Sequence, residues 1–224
     1  MTDYRHEWKI EVSWQDLLIL HQRLRCVLQP DAHAVDGRYL IRSLYFDTLE
    51  DRALREKIDG VSRREKFRIR YYNGDTSCIH LEKKTKIAGL GCKDTANLTP
   101  WQVQAIVDGN LLWMAESDQA LITELYGKMR AQRLKPRTIV DYTREPFVYA
   151  PGNVRVTLDY DIRTGLSCTD FLNAACPTVP VPDSPAILEV KWDAFLPDVV
   201  RDAVQMRGRH AGAFSKYAAC RSYD

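Results

Sequence analysis

No stretch of the 224-residue sequence approaches the about 20 consecutive apolar residues a membrane-spanning helix needs, and its first residues, Met-Thr-Asp-Tyr-Arg-His-Glu, hold no apolar signal core. The expectation is a cytoplasmic protein with no membrane segment of its own. The six cysteines (Cys26, Cys78, Cys92, Cys168, Cys176 and Cys220) include no CxxC pair, and the five histidines show no ligand spacing. Reduced thiols fit that scatter better than a zinc site or a disulfide framework. Neither a GxxxxGK[ST] nor a GxGxxG loop is present, so any bound phosphate must be held by side chains. A net charge of only +2 argues against a protein that coats nucleic acid, and any positive field must be local. With 45% hydrophobic and 28% charged residues, wholesale disorder is excluded.

What the chain does have is charge on alternate positions of short segments. Arg5, Glu7, Lys9 and Glu11 open the series, followed by Arg68 and Arg70, and by Glu82, Lys84 and Lys86. Arg144, then Arg155, Thr157 and Asp159, then Glu189 and Lys191 continue it. The intervening residues are mostly apolar, such as Trp8, Ile10 and Val12. Strand side chains alternate faces, so each strand has one apolar face and one that carries ions. Two arrangements satisfy this pattern: a sheet with its polar face in water, or a barrel with a charged interior.

Local signals divide the chain into elements. Ser13 and Asp16 mark a capped helix over 14–27, and the aromatic, β-branched stretch 38–47 reads as a strand before a short helix at 50–58. Asn73-Gly74-Asp75 joins strands 66–72 and 78–86 in a hairpin. Thr99-Pro100-Trp101-Gln102 starts a second helix, and 117–132 forms a third. Strands follow from Pro136 to Glu145, over 154–161 and over 187–192, with an irregular, proline-rich connection at 165–185 and two closing helices that end in Phe214-Ser215-Lys216-Tyr217. Helices interspersed among antiparallel strands predict a single α+β domain over 1–224. Polar faces dominated by Arg, Lys and Glu, a cation on most strands and helices available to cover the apolar faces favour an antiparallel barrel with helices outside.

Several cations inside a barrel need counterions, because an isolated buried charge is prohibitively costly. Glu7, Glu82 and Glu189 are too few to neutralise them, which points to a polyanion, with the remaining carboxylates suited to Mg²⁺ or Mn²⁺. Arg68 and Arg70, two apart on one face, suit adjacent phosphoryl groups.

The sequence resembles the VTC domain, the polyphosphate polymerase branch of the CYTH-like triphosphate tunnel metalloenzymes. The resemblance rests on Tyr4-Arg5-His6-Glu7-Trp8-Lys9, Ser43-Leu44-Tyr45-Phe46-Asp47, Arg64 to Tyr72, His80-Leu81-Glu82-Lys83-Lys84, Ile139 to Glu145, Leu188-Glu189-Val190-Lys191 and Phe214-Ser215-Lys216-Tyr217, in that order. It implies a tunnel that binds ATP and transfers its terminal phosphoryl group to a growing polyphosphate chain. By similarity Arg68, Arg70, Lys84, Arg144 and Arg155 would be catalytic. Arg5, Lys9, Lys191, Ser215 and Lys216 would bind substrate, and Glu189 with Glu7 would hold Mn²⁺ or Mg²⁺. Strand parity favours Lys84 over Lys83. Hydrolases of the superfamily usually begin Glu-x-Glu-x-Lys, whereas here Arg5 stands at the first Glu, which favours transfer to phosphate over hydrolysis. Triphosphate hydrolysis and noncatalytic polyphosphate binding are the alternatives. Eukaryotic relatives carry membrane segments beside the domain, so a separate membrane partner is one destination for the product. The sequence leaves the oligomeric state open.

Overall fold

The computed structural model describes residues 5–88 and 90–222; Tyr4, the first residue of the first matching motif, lies outside them. Strand β1 (His6–Val12) runs directly into helix α1 (Trp14–Val27). A capping box sets the helix start: Ser13 Oγ accepts from the Asp16 N–H at 3.1 Å, and the Asp16 carboxylate accepts from the Ser13 N–H at 2.9 Å. The two-residue β2 (Gln29–Pro30) precedes β3 (Tyr39–Asp47), α2 (Arg52–Ile58), β4 (Arg63–Tyr72), β5 (Asp75–Ile87) and β6 (Leu90–Leu98). Asn73 and Gly74, between β4 and β5, both take positive φ (53° and 74°), as a tight hairpin turn requires. Helices α3 (Pro100–Val107), α4 (Leu112–Ala115) and α5 (Ala120–Gln132) come next. They are followed by β7 (Lys135–Tyr149), β8 (Val154–Thr164), β9 (Val179–Pro180), β10 (Ala186–Trp192), α6 (Asp198–Val204) and α7 (Lys216–Arg221).

The strands form one antiparallel sheet in the order β1-β10-β8-β7-β3-β4-β5-β6, with β2 added to β7 and β9 to β8. Arg5 makes an isolated antiparallel bridge to Gly91, so the two ends of that series meet and the sheet curls into a barrel. The other edge of β1 is covered from the C-terminal segment: Ile10 bridges Ala211, and the Gly212 N–H donates to the Lys9 carbonyl at 2.7 Å. β6 was absent from the sequence-based expectation, as were α4 and the two short strands.

Helices α1 and α6 cover the outward face of β1, β8 and β10, where Leu17, Leu20 and Val200 pack with Ile10, Val156, Leu188 and Val190. Helices α3, α4 and α5 do the same for β3 to β6, with Ile106, Met114 and Leu125 against Leu44, Ile69, Ile79 and Leu81. One helix departs from the expected arrangement. Tyr217 and Cys220 of α7 pack with Ile41, Tyr45, Val140, Tyr142 and Ile187, and the strand register puts these on the same face as the charged residues. α7 therefore fills one section of the barrel from within.

Candidate functional site in the charged tunnel

The register turns separate alternations into one wall. Glu7 lies opposite Lys191 and Lys9 opposite Glu189; these continue to Arg155 and Thr157 on β8. Asp159 faces Arg144, which faces Tyr39. Across β3 and β4, Ser43 pairs with Arg70 and Tyr45 with Arg68, and on β5 Arg68 meets Glu82 and Lys66 meets Lys84. Directly opposed residues share a face, so all these positions lie on the inner face of the sheet. Among the described residues, Lys9, Lys66, Arg68, Arg70, Lys84, Lys93, Arg144, Lys191 and Lys216 stand there with Glu7, Glu82, Asp159 and Glu189, more cations than carboxylates.

The two arginines of β4 are held rigidly. Arg68 donates through Nε to Glu82 at 2.7 Å and through Nη1 to the Tyr45 hydroxyl at 2.9 Å. Arg70, almost wholly buried, donates to Ser43 Oγ at 2.9 Å and to the Tyr142 hydroxyl at 3.0 Å. Burial favours the neutral form of Glu82, but Arg68, then Arg70 and Lys93, outweigh it and hold this carboxyl well below the usual range. The same arginines overcome burial at Tyr45 and bring its phenol down to about 8.

On the opposite wall, Glu189 is contacted by Lys191 Nζ at 2.5 Å and Lys9 Nζ at 3.4 Å. Lys84 Nζ lies 3.2 Å from Glu7, and Lys191 Nζ 3.5 Å from it. Burial raises the Glu189 carboxyl, yet Lys191, Lys9, Arg144 and Lys84 together hold it well below its ordinary value. For Glu7, burial and Glu189 act upward, and Lys9, Lys84 and Lys191 still bring it down. Both carboxylates are therefore ionised at neutral pH.

Arg144 makes a bidentate pair with fully buried Asp159, Nε to Oδ1 at 2.6 Å and Nη2 to Oδ2 at 2.7 Å, and Lys216 Nζ reaches the same carboxylate at 2.6 Å. Ser215 Oγ accepts from Lys66 Nζ at 3.1 Å. The structure thus brings Lys9, Arg68, Arg70, Lys84, Arg144, Lys191, Ser215, Lys216, Glu7 and Glu189 together. Two expected residues stand apart. Arg155 is drawn to Asp31 at 3.0 Å, and Arg5 is tied to Asp193 at 2.7 Å and to the Asn153 carbonyl.

Comparison with protein families finds a match to the VTC domain over residues 4–223. The chain belongs to the VTC domain family. No curated protein matches it in sequence. Among solved structures, a candidate adenylyl cyclase from Hippeastrum, titled as having a dominant triphosphatase activity, matches with a TM-score of 0.55 at 14% identity, over 98% of this chain and 96% of that one. A candidate adenylate cyclase from Bacillus halodurans matches with a TM-score of 0.51 at 15% identity, over 85% and 81% of the two chains. The VTC domain thus has the triphosphate tunnel fold.

Among the described residues of the VTC domain, no group of three or more His, Cys, Asp or Glu could alone hold a metal ion. The donors nonetheless fit a cation of the Mg²⁺ kind, which uses one or two carboxylates and takes its remaining ligands from phosphates and water. Glu7 and Glu189 are ionised on adjacent strands, and the buried Thr157 hydroxyl, directly opposite Glu189, has no hydrogen-bond partner.

Sequence reasoning gave Tyr45, Tyr142 and Lys66 no site role and placed Asp159 only in the alternating charged series. Tyr45 and Tyr142 position the arginines, Asp159 anchors Arg144 and Lys216, and Lys66 shares the phase of Arg68 and Arg70. The parity that selected the arginines would have found Lys66. Tyrosine alternation resembles that of an ordinary packed strand, so nothing marked the other two.

Proposed function

We propose that this VTC domain is a polyphosphate polymerase: it transfers the terminal phosphoryl group of ATP to a growing inorganic polyphosphate chain inside the tunnel. The observation that carries this reading is the pair of rigidly held arginines, Arg68 and Arg70, facing a lysine-rich wall that has too few carboxylates to neutralise it. Phosphoryl transfer asks mainly for alignment and for stabilisation of charge on the transferred group, and the terminal phosphate of the acceptor is already an anion. No side-chain nucleophile is needed. Arg68, Arg70 and Lys84 would grip the triphosphate, Arg144 and Lys216 would neutralise charge beyond it, and Lys9 and Lys191 would orient the acceptor. Glu189 and Glu7 would hold Mn²⁺ or Mg²⁺, which would offset negative charge on the phosphates. Arg155 and Arg5, tied up elsewhere, would act at the mouths. The adenine would contribute little to recognition, and a cytoplasmic setting goes with this reading.

The second reading is triphosphate hydrolysis, favoured by the activity named for the Hippeastrum protein. Arg5 at the start of β1 disfavours it, because a carboxylate there would complete a second metal site for activating water. Incubation with ATP and Mn²⁺, following ADP, free phosphate and acid-precipitable polyphosphate separately, decides between the two. Polymer with stoichiometric ADP is expected. Phosphate without polymer would establish hydrolysis, and binding without turnover would leave a noncatalytic module.

A further inference from the structure

Lys66 is a cation of the inner wall that meets other cations across the strands. The register sets it opposite Lys84, which in turn lies opposite Lys93, so three lysines form a row across β4, β5 and β6. Like charges directly opposed on one face of a sheet repel. Each neighbour has found a carboxylate: Lys84 contacts Glu7 at 3.2 Å, and Lys93 contacts Glu82 at 3.1 Å. Lys66 makes no ion pair among the described residues. Its ammonium donates to Ser215 Oγ at 3.1 Å and lies 5.4 Å from the centre of the Tyr217 ring. Lys57, Lys9 and Arg64 add to the positive field around it. Ser215 Oγ already accepts twice, from Lys66 and from the Ala218 N–H at 3.3 Å, so its own proton remains to be donated.

An ammonium with unused protons, a hydroxyl with an unused proton and a second ammonium across the strand pair make an anion site. On the reading of the tunnel as a polyphosphate site, we propose that Lys66, with Lys84 and Ser215, binds a phosphoryl group beside the one gripped by Arg68, at the seam between the sheet and the C-terminal segment. Its ligand is a phosphate in a linear phosphoanhydride chain. That chemistry is shared by inorganic polyphosphate and the triphosphate of a nucleotide. Arg would serve here almost as well as Lys, whereas a neutral side chain of the same length would not.

The test compares wild type, Lys66→Met and Lys66→Arg by calorimetric titration with inorganic tripolyphosphate and, separately, with a non-hydrolysable ATP analogue. Lys66→Met should weaken binding about tenfold, as loss of one charge-assisted contact does, and Lys66→Arg should restore most of it. Loss confined to tripolyphosphate assigns the subsite to the inorganic chain; loss with both probes assigns it to the nucleotide phosphates. The ligand-free melting temperature of Lys66→Met should stay level or rise, because the substitution removes an uncompensated cation. Unchanged affinity for both probes, or a lowered melting temperature with unchanged affinity, overturns the role of Lys66 alone. Wild-type protein that binds neither probe overturns the polyphosphate reading itself.

Discussion

Individual side chains in the tunnel are tuned by one another more than by solvent. Burial and the surrounding cations press the Lys66 ammonium down to about 8, only partly offset by Tyr45. In the unfolded chain this group is charged up to its ordinary value, so its destabilising contribution is fully present below pH about 8 and fades as pH rises above that. A bound polyanion favours the charged form again. Arg68 and Arg70 stabilise the Tyr45 phenolate above pH about 8, and a phosphate that occupies those arginines sends the proton back. Both effects have the same sign. Tripolyphosphate binding at pH about 8.5 should therefore take up protons, and binding at pH about 6.5 should not. Titrations in two buffers of different ionisation enthalpy measure the uptake; buffer-independent heats at the higher pH would contradict it. At the metal-facing wall, Glu189→Gln should abolish Mn²⁺-dependent turnover while leaving the far-ultraviolet circular dichroism unchanged, and normal activity would remove Glu189 from its assigned role. Replacing Asp159 by Ala should cost about 3–5 kcal/mol in urea denaturation, because Arg144 and Lys216 lose their shared buried partner.

Among the elements, those with strong local signals were legible in the sequence. The Ser13–Asp16 and Thr99–Gln102 caps start α1 and α3 at the expected residues, and the Asn73-Gly74 turn lies where the composition placed it. β6 shows the limit of that reasoning. Its Gly91, Lys93, Asp94 and Asn97 have little strand preference, and the segment is a strand because β5 offers it backbone partners from Ile79 to Ile87. The last helix was expected to end at Phe214-Ser215-Lys216-Tyr217, whereas α7 starts there and packs on the charged face. Nothing in Lys216–Arg221 signals that Tyr217 donates to Asp47 at 2.7 Å and stacks on Tyr45. Between elements, Gly165 is set by contact: a Cβ there would lie 2.9 Å from the Ile139 Cβ, which cannot swing away. Gly165→Ala should lower stability by about 1–3 kcal/mol in urea denaturation.

For the molecule as a whole, the excess of cations in the tunnel means that the ligand-free protein holds electrostatic repulsion that a polyanion relieves. Tripolyphosphate at a hundred times its dissociation constant should stabilise the fold by about 2.7 kcal/mol. For a chain of this size that is a rise in melting temperature of roughly 5–10 °C, with sulfate at equal ionic strength as the control. An unchanged melting temperature would mean that the tunnel does not select phosphate chains. The family was legible because its motifs lie on the strands that build the wall; the cross-strand partners were not, because pairing joins residues as distant in sequence as Lys84 and Glu7. The cover that Ala211 and Gly212 lay along β1 has a separate consequence. An uncovered strand edge presents free amides and carbonyls to any other copy of the chain. Gly212→Pro would keep α7 and every charge of the wall yet remove the amide that covers this flank, and self-association that grows with concentration would be the first sign of it.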